Sequence, residues 1–233
     1  MSRIIPRDRS IIPACDFDIK TFESVIMETG DIEGIGAYKI GIVLGLQYGL
    51  PRVVEVARKY TDKPLIYDHQ KAGTDIPDMG TKFAEVLANA GFNAAILFPQ
   101  AGPITQEAWT KVLQDKGLDV LVGGLMTHKG FIRSDGGYLA DESIMEIYQN
   151  AANTDVTNFV VPGNKPEAIA KIRKILEEIG IEPVFYAPGF IAQGGKISDG
   201  AKVAGERFHG IVGRGIYEAD NIKAAALEHT SQI

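Results

Sequence analysis

The densest run of chemistry-bearing side chains is Tyr67-Asp68-His69-Gln70-Lys71-Ala72-Gly73-Thr74-Asp75-Ile76-Pro77-Asp78, where carboxylates surround a single lysine. Two upstream residues extend the set. Asp16 closes an apolar run, and Lys39 interrupts another in Tyr38-Lys39-Ile40-Gly41. Charges of both signs that are removed from water must be paired, and pairing orients the groups and shifts their proton affinities. A chain that only needed solvated surface charge would not put a lysine inside an apolar strand.

A second constellation is rich in glycine. Ala187-Pro188-Gly189-Phe190-Ile191-Ala192-Gln193-Gly194-Gly195 and Val212-Gly213-Arg214-Gly215-Ile216-Tyr217 both follow β-branched or apolar runs. Glycines let backbone N–H groups approach phosphate oxygens, and an arginine fork adds charge-assisted hydrogen bonds. Either segment alone is an ordinary turn. Together, late in the chain, they form a candidate phosphate site.

These residues need elements to carry them. Short apolar runs alternate with helical patterns, which favours parallel strands joined by helices. The expected strands are Ile11–Ala14, Ala37–Ile42, Pro64–Asp68, Ala94–Phe98, Val120–Leu125, Asn158–Val161, Pro183–Ala187 and Gly210–Val212. Between the sixth and seventh, Pro166, the stripe Ile169, Ile172 and Leu176, and a stop at Gly180 predict a helix over Lys165–Ile179. Eight strand–helix units in 233 residues fit a single (β/α)8 TIM barrel spanning residues 1–233. The charged cluster then lies at strand C-termini, where such barrels keep their active sites. An open doubly wound sheet would carry its glycine-rich turn after the first strand; here that strand ends Ala14-Cys15-Asp16.

Composition narrows the function classes. A net charge of −6 argues against a nucleic-acid or acidic-membrane surface. The single cysteine, Cys15, permits neither an intrachain disulfide nor a cysteine metal cluster and reads as a small apolar strand residue. The opening MSRIIPRDRS lacks the apolar stretch of a signal peptide, so the expectation is a cytoplasmic protein with no membrane span.

From about Ile12 to Ala225 the chain resembles the orotidine 5′-phosphate decarboxylase family, particularly its compact archaeal form. The resemblance is carried by Ala14-Cys15-Asp16, Tyr38-Lys39-Ile40-Gly41, Asp68 through Pro77, Thr127-His128, Pro188 through Gly195, and Val212 through Tyr217. It implies a catalytic array of Lys39, Asp68, Lys71 and Asp75. Lys71 would be the proton donor, and Asp75 would come from the neighbouring subunit of a homodimer with shared active sites. It also implies substrate contacts at Asp16 (ribose), Thr127 (near the pyrimidine, replacing a serine), Pro188, and the phosphate ligands Gln193, Gly213 and Arg214. No metal and no organic cofactor is implied. The partner is a small-molecule nucleotide.

Two departures stand out. The family spaces its motif Asp-x-Lys-x-x-Asp, whereas this chain has Asp68-x-x-Lys71-x-x-x-Asp75, one residue more in each gap. A one-residue insertion along a strand turns the lysine to the opposite face. A bulge or early strand end after Asp68 is therefore expected, with Gly73 placed to absorb the second extra residue. Met79 also stands where the family usually has a threonine. Two competing functions follow from these features. One is a metal-dependent sugar-phosphate aldolase or decarboxylase resembling 3-hexulose-6-phosphate synthase, which keeps a glutamate metal ligand where Lys39 stands. The other is a phosphate-ligand binding protein without catalysis.

Overall fold

In the computed structural model, which describes residues 4–69, 72–190 and 196–233, eight parallel strands close into a barrel in sequence order. The strands are β1 (Arg9–Cys15), β2 (Tyr38–Ile40), β3 (Leu65–Asp68), β4 (Ala94–Leu97), β5 (Asp119–Gly123), β6 (Asn158–Val160), β7 (Val184–Ala187) and β8 (Phe208–Val212). Closure is made by β1 against β8, in register from Arg9↔Phe208 to Pro13↔Val212. Helix α1 (Ile19–Thr29) follows β1, and α2 (Ile42–Tyr48) and α3 (Leu50–Arg58) follow β2. Then come α4 (Met79–Ala90), α5 (Pro103–Asp115), α6 (Asp141–Ala152), α7 (Pro166–Glu178) and α8 (Ile197–Ala204), one after each strand. Beyond β8 lie α9 (Arg214–Tyr217) and α10 (Ile222–Thr230).

The expected strands all exist, with shifted ends. β2 stops at Ile40 because Gly41 is the N-cap of α2, so Ile42 is helical and not the end of a strand. β1 and β8 begin earlier than expected because they zip together over five residue pairs. The helix expected over Lys165–Ile179 runs from Pro166 to Glu178.

The period-two alternation of each strand divides the core in two. Ile12, Ile66, Ile96, Leu121, Val160, Tyr186 and Ile211 fill the barrel. Their neighbours Ile11, Ile40, Tyr67, Val122, Phe159 and Phe185 pack against the helices. Lys39 pairs with Ile66 and Asp68 with Ile96, so both charged residues share the interior parity. At the opposite, N-terminal end of the strands, Ile4 and Ile5 are buried and border a cavity of about 730 Å³. No helix among the described residues is long and apolar enough to cross a membrane.

Candidate active site

The central feature of the C-terminal face is an ion pair. Lys39 Nζ donates to Asp68 Oδ2 at 2.5 Å, with side chains only 10% and 13% exposed. Adjacent parallel strands put the two residues on one interior wall, and the apolar layer beneath them disfavours either charge alone. Tyr67, between them in parity, points to the helix layer; burial, and then the nearby Asp68 and Asp16 carboxylates, push its phenol up to about 12. The Cys15 thiol is likewise raised by burial, as suits an inert strand residue.

Asp16 sits one residue beyond β1 and accepts the Val43 N–H on Oδ1 at 2.8 Å. That N–H is one of the unsatisfied donors of the first turn of α2, so the carboxylate is fixed by a helix N-terminus. The seat requires Gly41, because a Cβ there would lie 2.4 Å from the Asp16 carboxyl carbon.

The ladder shows where β3 ends. Asn93 N–H donates to the Leu65 carbonyl and Phe98 N–H to the Ala72 carbonyl. Between these rungs the chain advances five residues on the β4 side and seven on the β3 side, a surplus of two. Strand pairing ends at Asp68↔Ile96. Gly73 follows at φ 88°, a left-handed value that glycine adopts without strain. Lys71 lies outside the described residues. Asp75 is exposed, and its Oδ1 accepts the following Ile76 N–H at 2.7 Å. His69 continues the outward parity: its Nδ1 lies 2.6 Å from the Tyr67 hydroxyl and its ring packs on Phe83, away from the barrel interior.

The remaining expected ligands also follow strand ends. Thr127 lies past β5; its carbonyl accepts from Asn164 Nδ2 at 3.1 Å, and the Met126 carbonyl accepts from Lys165 Nζ at 3.1 Å. Asn164, in the loop after β6, thus ties the β5 and β6 ends together. Pro188 follows β7, its carbonyl accepting the Gly163 N–H at 2.7 Å. Gln193 lies outside the described residues. Gly213 caps α9, and Arg214 is exposed without an ion pair among the described residues. The structure therefore brings Asp16, Lys39, Asp68, Thr127, Pro188, Gly213 and Arg214 to one end of the barrel.

Sequence reasoning missed some supports. His229 is buried, with Nε2 3.2 Å from the Gly215 carbonyl behind the Arg214 turn. The loop between β5 and α6 is pinned by an Ile132↔Leu139 bridge and by Gly130 N–H on Asp135 Oδ2 at 2.8 Å. His128, just past β5, is exposed, edge-on to Phe131 at 5.7 Å.

Comparison with known proteins agrees with this geometry. The sequence pattern of the Orotidine 5′-phosphate decarboxylase / HUMPS family matches residues 10–229. The orotidine 5′-phosphate decarboxylase of Methanosarcina mazei is 33% identical over 201 residues, covering 86% of this chain and 84% of that protein. Its counterpart in Methanosarcina barkeri is 31% identical over 220 residues, covering 93% and 91%. The crystal structure of the Methanocaldococcus jannaschii orotidine 5′-monophosphate decarboxylase, complexed with inhibitor BMP, superposes with a TM-score of 0.83. It is 25% identical, with 97% of this chain and 99% of that one covered. With a match over nearly its whole length and the same closed barrel, the chain belongs to the orotidine 5′-phosphate decarboxylase / HUMPS family of carbon–carbon lyases.

Proposed function

We propose that this chain, acting as one barrel domain over residues 1–233, decarboxylates orotidine 5′-phosphate to uridine 5′-phosphate in pyrimidine nucleotide synthesis. The reaction is metal-free and takes place in the cytoplasm, with no nucleic-acid or membrane partner. The observation that carries the reading is the Lys39–Asp68 pair at 2.5 Å inside the barrel mouth. The family holds two kinds of chemistry, and sugar-phosphate enzymes of the second kind keep an acidic metal ligand where Lys39 stands. An ammonium there repels Mg²⁺ and instead orders carboxylates.

Loss of CO₂ from pyrimidine C6 leaves a carbanion with little resonance relief. A lysine ammonium beside that carbon stabilises the charge as it develops and then delivers the proton. Lys71 takes this role, with Asp68 beside the departing carboxylate. Lys39 and Asp75 hold Lys71 charged and oriented. Asp16 binds the ribose, Thr127 borders the pyrimidine, Pro188 contacts the substrate, and Gln193, Gly213 and Arg214 hold the phosphate. Phosphate binding far from C6 supplies energy for ordering the site.

The exposed Asp75 serves a neighbour's Lys71, which makes the protein a two-fold homodimer with shared sites. Mixing inactive Lys71→Ala with inactive Asp75→Asn protein should restore decarboxylation of orotidine 5′-phosphate, because one site of the mixed dimer inherits neither lesion. Persistent inactivity after verified subunit exchange would remove the shared site.

A further inference from the structure

We infer that Trp109 and Thr105, on α5, are positioning residues that aim Asp75 at the site it completes; this rests on the role given to Asp75 above. Thr105 Oγ1 donates to the Asp75 carbonyl at 3.2 Å, and Trp109 Nε1 donates to the Ile76 carbonyl at 3.1 Å. Two consecutive carbonyls of the loop are thus held by two side chains one turn apart on a single helix. Both donors are buried at 5% exposure, whereas Ile76 is 61% exposed. The loop is therefore anchored from its protein side and open on the other.

The anchor is rigid. The indole ring packs on Gly80 and lies 5.1 Å from the Phe83 ring, both on α4. The same Ile76 carbonyl accepts the Met79 N–H at 3.2 Å, so the first turn of α4 starts from the clamped point. Downstream on α5, Leu113 is fully buried in the core between helices and sheet. The position of Asp75 relative to the barrel is thereby set through α5, and not by the loop alone.

The indole N–H is the informative atom. A ring needed only for packing would leave Trp109 replaceable by phenylalanine, which keeps the contacts with Gly80 and Phe83. A carboxylate that must meet a lysine on another subunit needs its backbone fixed to within a fraction of an ångström.

The test uses the full-length protein and orotidine 5′-phosphate turnover. Trp109→Phe should lower kcat by about tenfold with little change in KM or in affinity for uridine 5′-phosphate. Thr105→Val should lower kcat by a smaller factor, and Thr105→Ser, which keeps the hydroxyl, should restore it. In the residual turnover that Asp75→Asn retains at high enzyme concentration, neither Trp109→Phe nor Thr105→Val should reduce kcat further, because the group they position is already gone. Losses that simply multiply in that background would make the two residues merely structural and overturn the inference. Normal kcat in Trp109→Phe and Thr105→Val, with Asp75→Asn inactive, would overturn the inference while leaving the role of Asp75 intact. Full activity of Asp75→Asn would overturn that role, and the inference with it. Should Trp109→Phe fail to fold, the contrast between Thr105→Val and Thr105→Ser decides alone.

Discussion

The two ends of the barrel both carry polar side chains at interior positions, yet they treat them in opposite ways. At the C-terminal end the groups are charged: Lys39 and Asp68 pair at 2.5 Å, Asp16 rests on a helix N-terminus, and Arg214 is exposed. At the N-terminal end burial works against charge. His209 is 1% exposed, its Nδ1 lies 2.8 Å from Ser10 Oγ, and its ring stacks near Tyr186 at 4.9 Å. Burial holds that imidazole down to about 3 and raises the nearby Asp119 carboxyl. Charge kept beside a solvent-open mouth is available for chemistry, whereas groups whose charged forms burial disfavours close the floor of the barrel. Substitutions at the first end should therefore cost activity, and at the second, stability.

The largest separation of these effects is expected at Lys71. Lys71→Ala should lose several orders of magnitude in kcat while binding uridine 5′-phosphate nearly normally, as measured by steady-state kinetics and calorimetry. A variant that decarboxylates normally would detach the charged end from the chemistry. Arg214→Ala should weaken binding of the nucleotide by roughly 2–4 kcal/mol and leave uridine binding unchanged. Equal losses for both ligands would put Arg214 outside the phosphate site.

At the floor the expected effects are smaller and concern folding. The folded pKa of His209 lies below its ordinary 6.5, so the unfolded chain binds a proton that the folded chain refuses. That contribution is present at neutral pH and is lost as pH falls through 6.5 towards about 3. Between pH 7 and pH 5 the imidazole alone should remove about 2 kcal/mol of stability. Asp119 works in the opposite sense, gaining as pH falls, so the comparison is urea unfolding of the wild type against His209→Asn, whose pH slope should be shallower. Parallel slopes would show that the imidazole charges freely. Ser10→Ala removes the partner of His209 Nδ1 and should cost roughly 1–2 kcal/mol with kcat unchanged. A kcat loss without a stability loss would reverse the assignment of the two ends.

Much of the charged end was legible in the sequence because its signals are local. Lys39 in an apolar strand, the carboxylates around Lys71 and the glycine–arginine turns each break a pattern that packing alone would keep. Strand existence was legible from the same alternation, although β2 ends early because the cap at Gly41 outranks the β-branched Ile42. The floor was not legible. Ser10 and His209 are 199 residues apart and meet only because β1 closes on β8, while Ile4 and Ile5 carry no periodic signal to mark them as buried. The bond from Trp109 to the Ile76 carbonyl depends on how α4 and α5 sit together. The end of β3 at Asp68 was foreseeable from the sequence, whereas the Phe98–Ala72 rung beyond it is a tertiary fact.

The most direct test of the central claim is turnover of orotidine 5′-phosphate by the purified protein in excess EDTA, followed by the loss of the substrate's ultraviolet absorbance. The account predicts an unchanged rate and stoichiometric uridine 5′-phosphate. Abolition by EDTA with rescue by Mg²⁺, or no turnover with or without metal, would contradict it.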